Sequence, residues 1–103
     1  MPFARDARSA YTDSVISPDV VVVDIRPQEL RWKDPLETLI PNEILVSSLE
    51  KIEKGGHGIT GRVVVVCEIG VRSRVAAMYL LADGVEATHL PGGVKGLKLA
   101  LRS

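Results

Sequence analysis

The chain has one cysteine, and its neighbours are of the types that activate a thiol. Cys67 stands in the run Val63-Val64-Val65-Val66-Cys67-Glu68-Ile69-Gly70-Val71-Arg72-Ser73-Arg74. The thiolate is the reactive form of cysteine, and positive charge or a helix N-terminus beside the sulfur lowers the pKa that controls it. Arg72 and Arg74 supply positive charge, Glu68 opposes them, and Gly70 can take the positive φ that a tight loop demands. Buried cysteines elsewhere act as small hydrophobes. Here the apolar run stops at Cys67 and gives way to charged residues and glycine, which favours a nucleophile over a core residue.

The elements that must position this thiol follow from the surrounding pattern. Four consecutive valines suit a strand covered on both faces, as in a parallel sheet, so Arg62 to Cys67 is read as the central strand. Beyond the turn, apolar Val75, Met78, Tyr79 and Ala82 recur at helical spacing, which predicts a helix over 73–82 stopped by Asp83-Gly84. Cys67 is thereby placed against backbone N–H groups at a helix N-terminus, a setting that favours negative charge. Ser73 is expected to cap that helix.

The rest of the chain alternates in the same way. Strands are predicted over 20–24, 43–46 and 87–90, and helices over 27–34, from Ser47 or Ser48 to Lys54, and over 94–101. Pro27 suits a first helical turn, and Gly55-Gly56 suits a helix end. A short helix or irregular lead-in is expected over 7–16. Alternating strands and helices imply an α/β domain with a parallel sheet and helices on both faces. In such sheets ligands bind at the carboxyl ends of the strands, where Asp24 and Cys67 both fall.

Cys67-Glu68-Ile69-Gly70-Val71-Arg72-Ser73 resembles the active-site loop of the rhodanese-like sulfurtransferases, whose common form is Cys-x-x-Gly-x-Arg-Ser. Two more landmarks come in the family's order. Val22-Val23-Asp24-Ile25-Arg26, with Glu29 shortly after, is similar to its strand ending in Asp-Val-Arg, and Leu90-Pro91-Gly92-Gly93-Val94 is similar to its Leu-x-Gly-Gly turn. The likeness runs from about Val20 to the C-terminus. It departs at Thr38 to Glu43, which keeps only the Ile-Pro of a longer motif, and at Leu97, where a tryptophan is usual.

The resemblance implies a single rhodanese-like domain over 1–103, with 1–17 as lead-in, and a central, mostly parallel sheet between two helical layers. It implies that Cys67 is the catalytic residue and carries sulfane sulfur as a persulfide, and that the backbone of Glu68, Ile69, Gly70, Val71 and Arg72, with Ser73, surrounds the substrate. The implied substrates are a small sulfur donor such as thiosulfate and a cyanide or thiol acceptor, or a sulfur-donor or sulfur-carrier protein. Two other readings use the same fold: a cysteine-dependent phosphatase or arsenate reductase, and a non-catalytic binding module. The phosphatase loops resemble Cys-x5-Arg, one residue longer than the Cys-x4-Arg spacing of Cys67 and Arg72. Inactive modules usually lack the cysteine.

Other candidates have blander roles. Asp24 and Arg26 suit a structural role, capping a helix or pairing at the rim of the loop, and Arg72 suits either an anionic donor or a salt bridge to Glu68 or Asp24. Glu29 reads as a solvated helix residue, and His57 in Gly55-Gly56-His57-Gly58 as exposed. His89 reads as structural or surface, Trp32 and Tyr79 as packing. Two scattered histidines and one cysteine make no recognisable metal set, and no cofactor is expected.

Composition sets the outer limits. The 103 residues suit one modest core, and 46% apolar content is that of an ordinary globular protein. Lysine plus arginine balance aspartate plus glutamate at 13 each, so no electrostatic case exists for nucleic acid or an anionic membrane. Asp24 and Glu68 interrupt the apolar runs below membrane-spanning length, and Met1 to Asp6 lacks the apolar stretch of a signal peptide. A lone reactive thiol persists best in a reducing compartment, so the cytoplasm is expected.

Overall fold

A computed structural model describes residues 16, 17 and 19–102. The lead-in expected over 7–16 lies outside them, apart from Ile16, which is buried in a bend. Strands β1 (Val21–Asp24), β2 (Ile44–Val46), β3 (Arg62–Val66) and β4 (Glu86–His89) form one sheet in the order β2-β1-β3-β4. Every pairing in it is parallel. Between the strands run α1 (Gln28–Lys33), a 3-10 turn (Leu36–Thr38), α2 (Leu49–Lys54) and α3 (Val71–Ala82), and α4 (Gly93–Arg102) follows β4. The sheet is built outward from β1 in both directions. The crevice at the carboxyl ends of β1 and β3, where the winding reverses, is therefore the expected ligand position.

The valine run shows why this sheet is buried on both faces. Val63, Val65 and Cys67 pack with Ile52, Ala76 and Leu80 under α2 and α3. Val64 and Val66 face the opposite layer, with Leu36, Leu90 and Leu97. Alternation along one strand thus serves two cores. Leu97 is fully buried in the second core.

Boundaries differ from the sequence reading by one or two residues, with local causes. β3 ends at Val66 rather than Cys67, because the Cys67 carbonyl leaves the ladder and accepts the Val94 N–H at 2.9 Å. α3 begins at Val71 rather than Ser73, because Gly70 takes the N-cap position with φ +99°. Ser48 is the cap of α2, its hydroxyl accepting the Lys51 N–H, and Gly55 closes that helix in the left-handed conformation.

The face that α3 buries is not the one its large apolar residues marked. Ser73, Ala76, Ala77 and Leu80 point inward, while Val75, Met78, Tyr79 and Ala82 point outward. Small residues let the helix axis lie close to the sheet, and the larger side chains are left outside. Tyr79 and Trp32 are therefore surface residues rather than packing residues, and Trp32 is 72% exposed.

His57 also departs from expectation. Gly55, Gly58 and Gly61 all adopt positive φ, so the connector folds back and tucks the imidazole against the α3–β4 turn. Its side chain is only 5% exposed. Nδ1 accepts the Ile59 N–H at 2.9 Å, so the proton sits on Nε2, which donates to Asp83 Oδ2 at 3.0 Å. His57→Ala removes both bonds and leaves the Ile59 N–H without its acceptor. A loss of about 1–2 kcal/mol is expected. It would be read as a lower urea midpoint at constant slope, and an unchanged midpoint would contradict the latch.

Candidate active site

Cys67 lies at the carboxyl end of β3 and is 5% exposed. The chain then doubles back through Glu68, Ile69 and Gly70 into α3, so successive N–H groups turn toward the sulfur. The Gly70 N–H donates to Sγ at 3.0 Å and the Ser73 N–H at 3.4 Å. Burial pushes the Cys67 thiol up, but the Ser73 hydroxyl and the N–H groups of Ser73, Gly70 and Arg72 outweigh it. The net direction is below the ordinary thiol range. The thiolate is thus favoured by aimed dipoles at a helix start.

Ser73 is not the helix cap expected from sequence. It lies inside the first turn of α3, fully buried, with its hydroxyl on the sulfur. In the thiol form the S–H donates to Ser73 Oγ at 3.4 Å, and that hydroxyl donates to the Gly70 carbonyl at 3.3 Å. Deprotonation frees the hydroxyl to turn and donate to the sulfur instead. Ser73→Ala is therefore expected to raise the thiol pKa. Alkylation by iodoacetamide follows the thiolate fraction, so its rate rises with pH through the folded pKa and then levels off. In the variant that rise should come at higher pH. An unchanged profile would contradict the role of the hydroxyl.

The loop is held from behind by the start of α4. The Val94 and Lys95 N–H groups donate to the Cys67 and Glu68 carbonyls at 2.9 and 3.1 Å. Gly93 makes that approach possible. With φ +62°, a Cβ there would lie 2.5 Å from both carbonyl oxygens. Gly70 is also confined, since its Cβ would lie 2.8 Å from the Gly92 nitrogen. The Gly92-Gly93 turn is therefore the seat of the Cys67 loop. In the sequence it showed only as the Leu90-Pro91-Gly92-Gly93 landmark.

A buried ion pair braces the neighbouring strand end. Asp24 stands in register with Val66, and the Ile25 N–H donates to the Val66 carbonyl at 3.0 Å. Arg26 grips Asp24 through Nε and Nη2 at 3.0 and 2.9 Å, and Nη2 also donates to the Asp34 carbonyl at 2.9 Å. Both side chains are buried, and the fork geometry satisfies the carboxylate. Lys98 of α4 binds Asp34 at 2.9 Å and holds its carboxyl below its usual range, tying the same corner to the helix that seats the loop.

The remaining candidates divide. Ile69, Val71 and Arg72 have exposed side chains on the loop, and Glu68 is half-buried. Among the described residues Arg72 makes no ion pair, since Arg26 takes Asp24. Glu29 is exposed on α1, and His89 sits half-buried at the end of β4. Among the described residues no three His, Cys, Asp or Glu side chains gather as metal ligands. No helix among them is long and apolar enough to cross a membrane.

No family model matches the chain, and no curated protein matches it. Solved structures do. A rhodanese homolog from the extremely thermophilic bacterium Thermus thermophilus is 39% identical, with a TM-score of 0.66 over 84% of this chain and 92% of that one. The chain belongs to the rhodanese-like family. The rhodanese-like fold recurs at lower identity in reduced CoADR-RHD of Bacillus anthracis, at 17% identity and a TM-score of 0.71. That match covers 90% of this chain but 16% of the other. It recurs again in a Rhodopseudomonas palustris protein of unknown function, described as a possible tyrosine phosphatase. There the identity is 23%, the TM-score 0.64, and the coverage 92% of this chain and 76% of that one. These two likenesses carry the fold alone. In this rhodanese-like domain the three sequence landmarks come together at one end of the sheet: Cys67 to Ser73 form the loop, Gly92-Gly93 seat it, and Asp24 and Arg26 brace the adjoining strand end.

Proposed function

We propose that this protein is a rhodanese-type sulfurtransferase that carries sulfane sulfur as a persulfide on Cys67. The observation that carries the reading is the sulfur itself, held by N–H groups of Gly70 and Ser73 in a loop with four residues between Cys67 and Arg72. The Cys67 thiolate attacks the outer sulfur of thiosulfate. A new S–S bond forms, the donor S–S bond breaks, and sulfite leaves with the electron pair. A second nucleophile then attacks the outer sulfur of the persulfide and returns the pair to Cys67. The dipoles that favour the thiolate also favour the leaving thiolate of this second step, a case of electrostatic preorganisation. One cysteine cannot resolve its own persulfide, so the acceptor is an outside cyanide, thiol or sulfur-carrier protein. A lone reactive thiol persists best in a reducing compartment, which supports a cytoplasmic location.

The likeness to a possible tyrosine phosphatase raises a second reading, phosphate ester hydrolysis through Cys67. Loop length opposes it, because a tetrahedral oxyanion needs the wider Cys-x5-Arg cradle, and Glu68, next to Cys67 in the chain, disfavours a dianion. The two readings separate in one pair of assays. Thiocyanate should form from thiosulfate and cyanide, while a phosphotyrosine mimic should not be hydrolysed. Cys67-dependent hydrolysis without thiocyanate would reverse the assignment.

A further inference from the structure

The two outer strands of the sheet are built differently. β4 carries exposed Glu86 and Thr88, polar residues of the kind that keep a sheet edge from pairing. β2, at the other edge, is Ile44-Leu45-Val46 and carries no charge. Leu45 is 39% and Val46 50% exposed. The ladder to β1 uses the Glu43 carbonyl and the Ser47 N–H. A parallel ladder bonds every second residue, so Leu45 is the next to face β1, while Ile44 and Val46 turn their N–H and C=O groups outward. Among the described residues nothing bonds to those groups. Beside this edge a groove of about 310 Å³ is lined by Trp32, Ile44 and Val46, with Arg31 and Glu37 as its unpaired charges. Asp24 also lines it, but Arg26 already holds that carboxylate.

We infer that a second copy of this chain pairs with the β2 edge across a two-fold axis, joining the two sheets into one. In an antiparallel pairing centred on Leu45, Ile44 of each copy lies opposite the partner's Val46. The outward N–H and C=O groups of these residues then bond one another. Leu45 meets the partner's Leu45 on the other face, and the exposed apolar surface of the strand is covered on both sides. Residues directly opposite share a face, so the two grooves adjoin on one side of the joined sheet. The charge pattern selects a copy of this chain as the occupant. The groove holds one free charge of each sign, and a two-fold axis sets Arg31 of each copy toward the partner's Glu37, twice over. A partner segment of one net charge gains nothing from so balanced a groove. The strands of the two copies run in opposite directions, which puts the two Cys67 loops at opposite ends of the sheet. β1 separates each β3 from the seam, so both crevices stay open. The inference stands whether or not Cys67 carries sulfur.

Sedimentation equilibrium of the full chain from about 1 μM to about 1 mM tests this, the range suited to a small, transient interface. The mass should rise from that of one chain toward that of two. Hydrogen exchange followed by NMR at both ends of the range locates the seam. The Ile44 and Val46 amides should exchange at least about tenfold more slowly at the high end, while the Leu45 amide, which faces β1, should change little. Leu45→Lys sets like charges opposite each other across the axis and should weaken association at least about tenfold. Arg31→Glu should weaken it by up to about tenfold, and adding Glu37→Arg to that variant should restore it. That rescue is specific to a groove that pairs with itself, and it shows that the single variant had lost a contact rather than its fold. A monomer throughout, leaving the edge to an extended segment of another protein, would overturn the inference. So would a dimer whose Ile44 and Val46 amides stay unprotected, or a double charge reversal that fails to restore association.

Discussion

Cys67→Ser is expected to keep the fold and to lose sulfur loading entirely. A hydroxyl of similar shape can still accept the N–H groups of Gly70 and Ser73, so the cradle keeps its filling atom. The stability change should stay within about 1 kcal/mol, as for a near-isosteric replacement that leaves its hydrogen bonds made. The chemistry has no substitute, because this chain contains no second thiol. A serine hydroxyl is not ionised near neutral pH, and no base stands beside it in the described site. Urea denaturation should superimpose on wild type while thiocyanate formation falls to background. Retained persulfide formation in the variant would remove Cys67 from the mechanism.

Gly93→Ala should be the most damaging single methyl in the described fold. The residue is not in the loop it controls, yet a Cβ there would meet the Cys67 and Glu68 carbonyl oxygens at 2.5 Å. Those oxygens are the ones bound by the Val94 and Lys95 N–H groups, so the methyl displaces the loop from its seat. Left-handed backbone for alanine and overpacking against main-chain atoms together cost roughly 2–5 kcal/mol. In a domain of this size the melting temperature should drop by more than about 10 °C. The surviving folded fraction should also load sulfur slowly, because the N–H groups of Gly70 and Ser73 no longer converge on Sγ. A variant with wild-type melting temperature and loading rate would show that the turn has room the geometry denies. Gly96→Ala, where a Cβ would sit 3.6 Å from the Pro91 carbonyl, is the control and should be tolerated.

The contrast between Gly70 and Gly93 shows what the sequence carries and what it hides. Gly70 was legible as a left-handed residue because it stands in the short turn between a strand and a helix. Gly93 was legible only as part of a family landmark, since its clash partners, the Cys67 and Glu68 carbonyls, lie far back in the chain and require the folded sheet. The strand at Val63 to Val66 was plain from its valines, whereas Asp24 and Arg26 suited helix capping as well as pairing until the folded strand end joined them. α3 was correctly read as a helix and wrongly oriented. Hydrophobic periodicity marks the buried face when size and burial agree, but here Ala76 and Ala77 give the sheet its close approach and Met78 remains outside. Ser73 was placed at a helix start, as its type suggests. Its hydroxyl was claimed by the sulfur because Gly70, with no side chain to offer, had already begun the helix. His57 looked exposed because glycines flank it, though those same glycines fold its connector inward.

These particulars converge on one claim, that Cys67 accepts a sulfur atom and gives it up. Intact mass spectrometry after brief incubation with thiosulfate, on wild type and Cys67→Ser side by side, tests it most directly. The wild type alone should gain the mass of one sulfur atom and lose it on addition of cyanide. No gain in wild type from thiosulfate or from a persulfidated donor protein, or an equal gain in the variant, would contradict it.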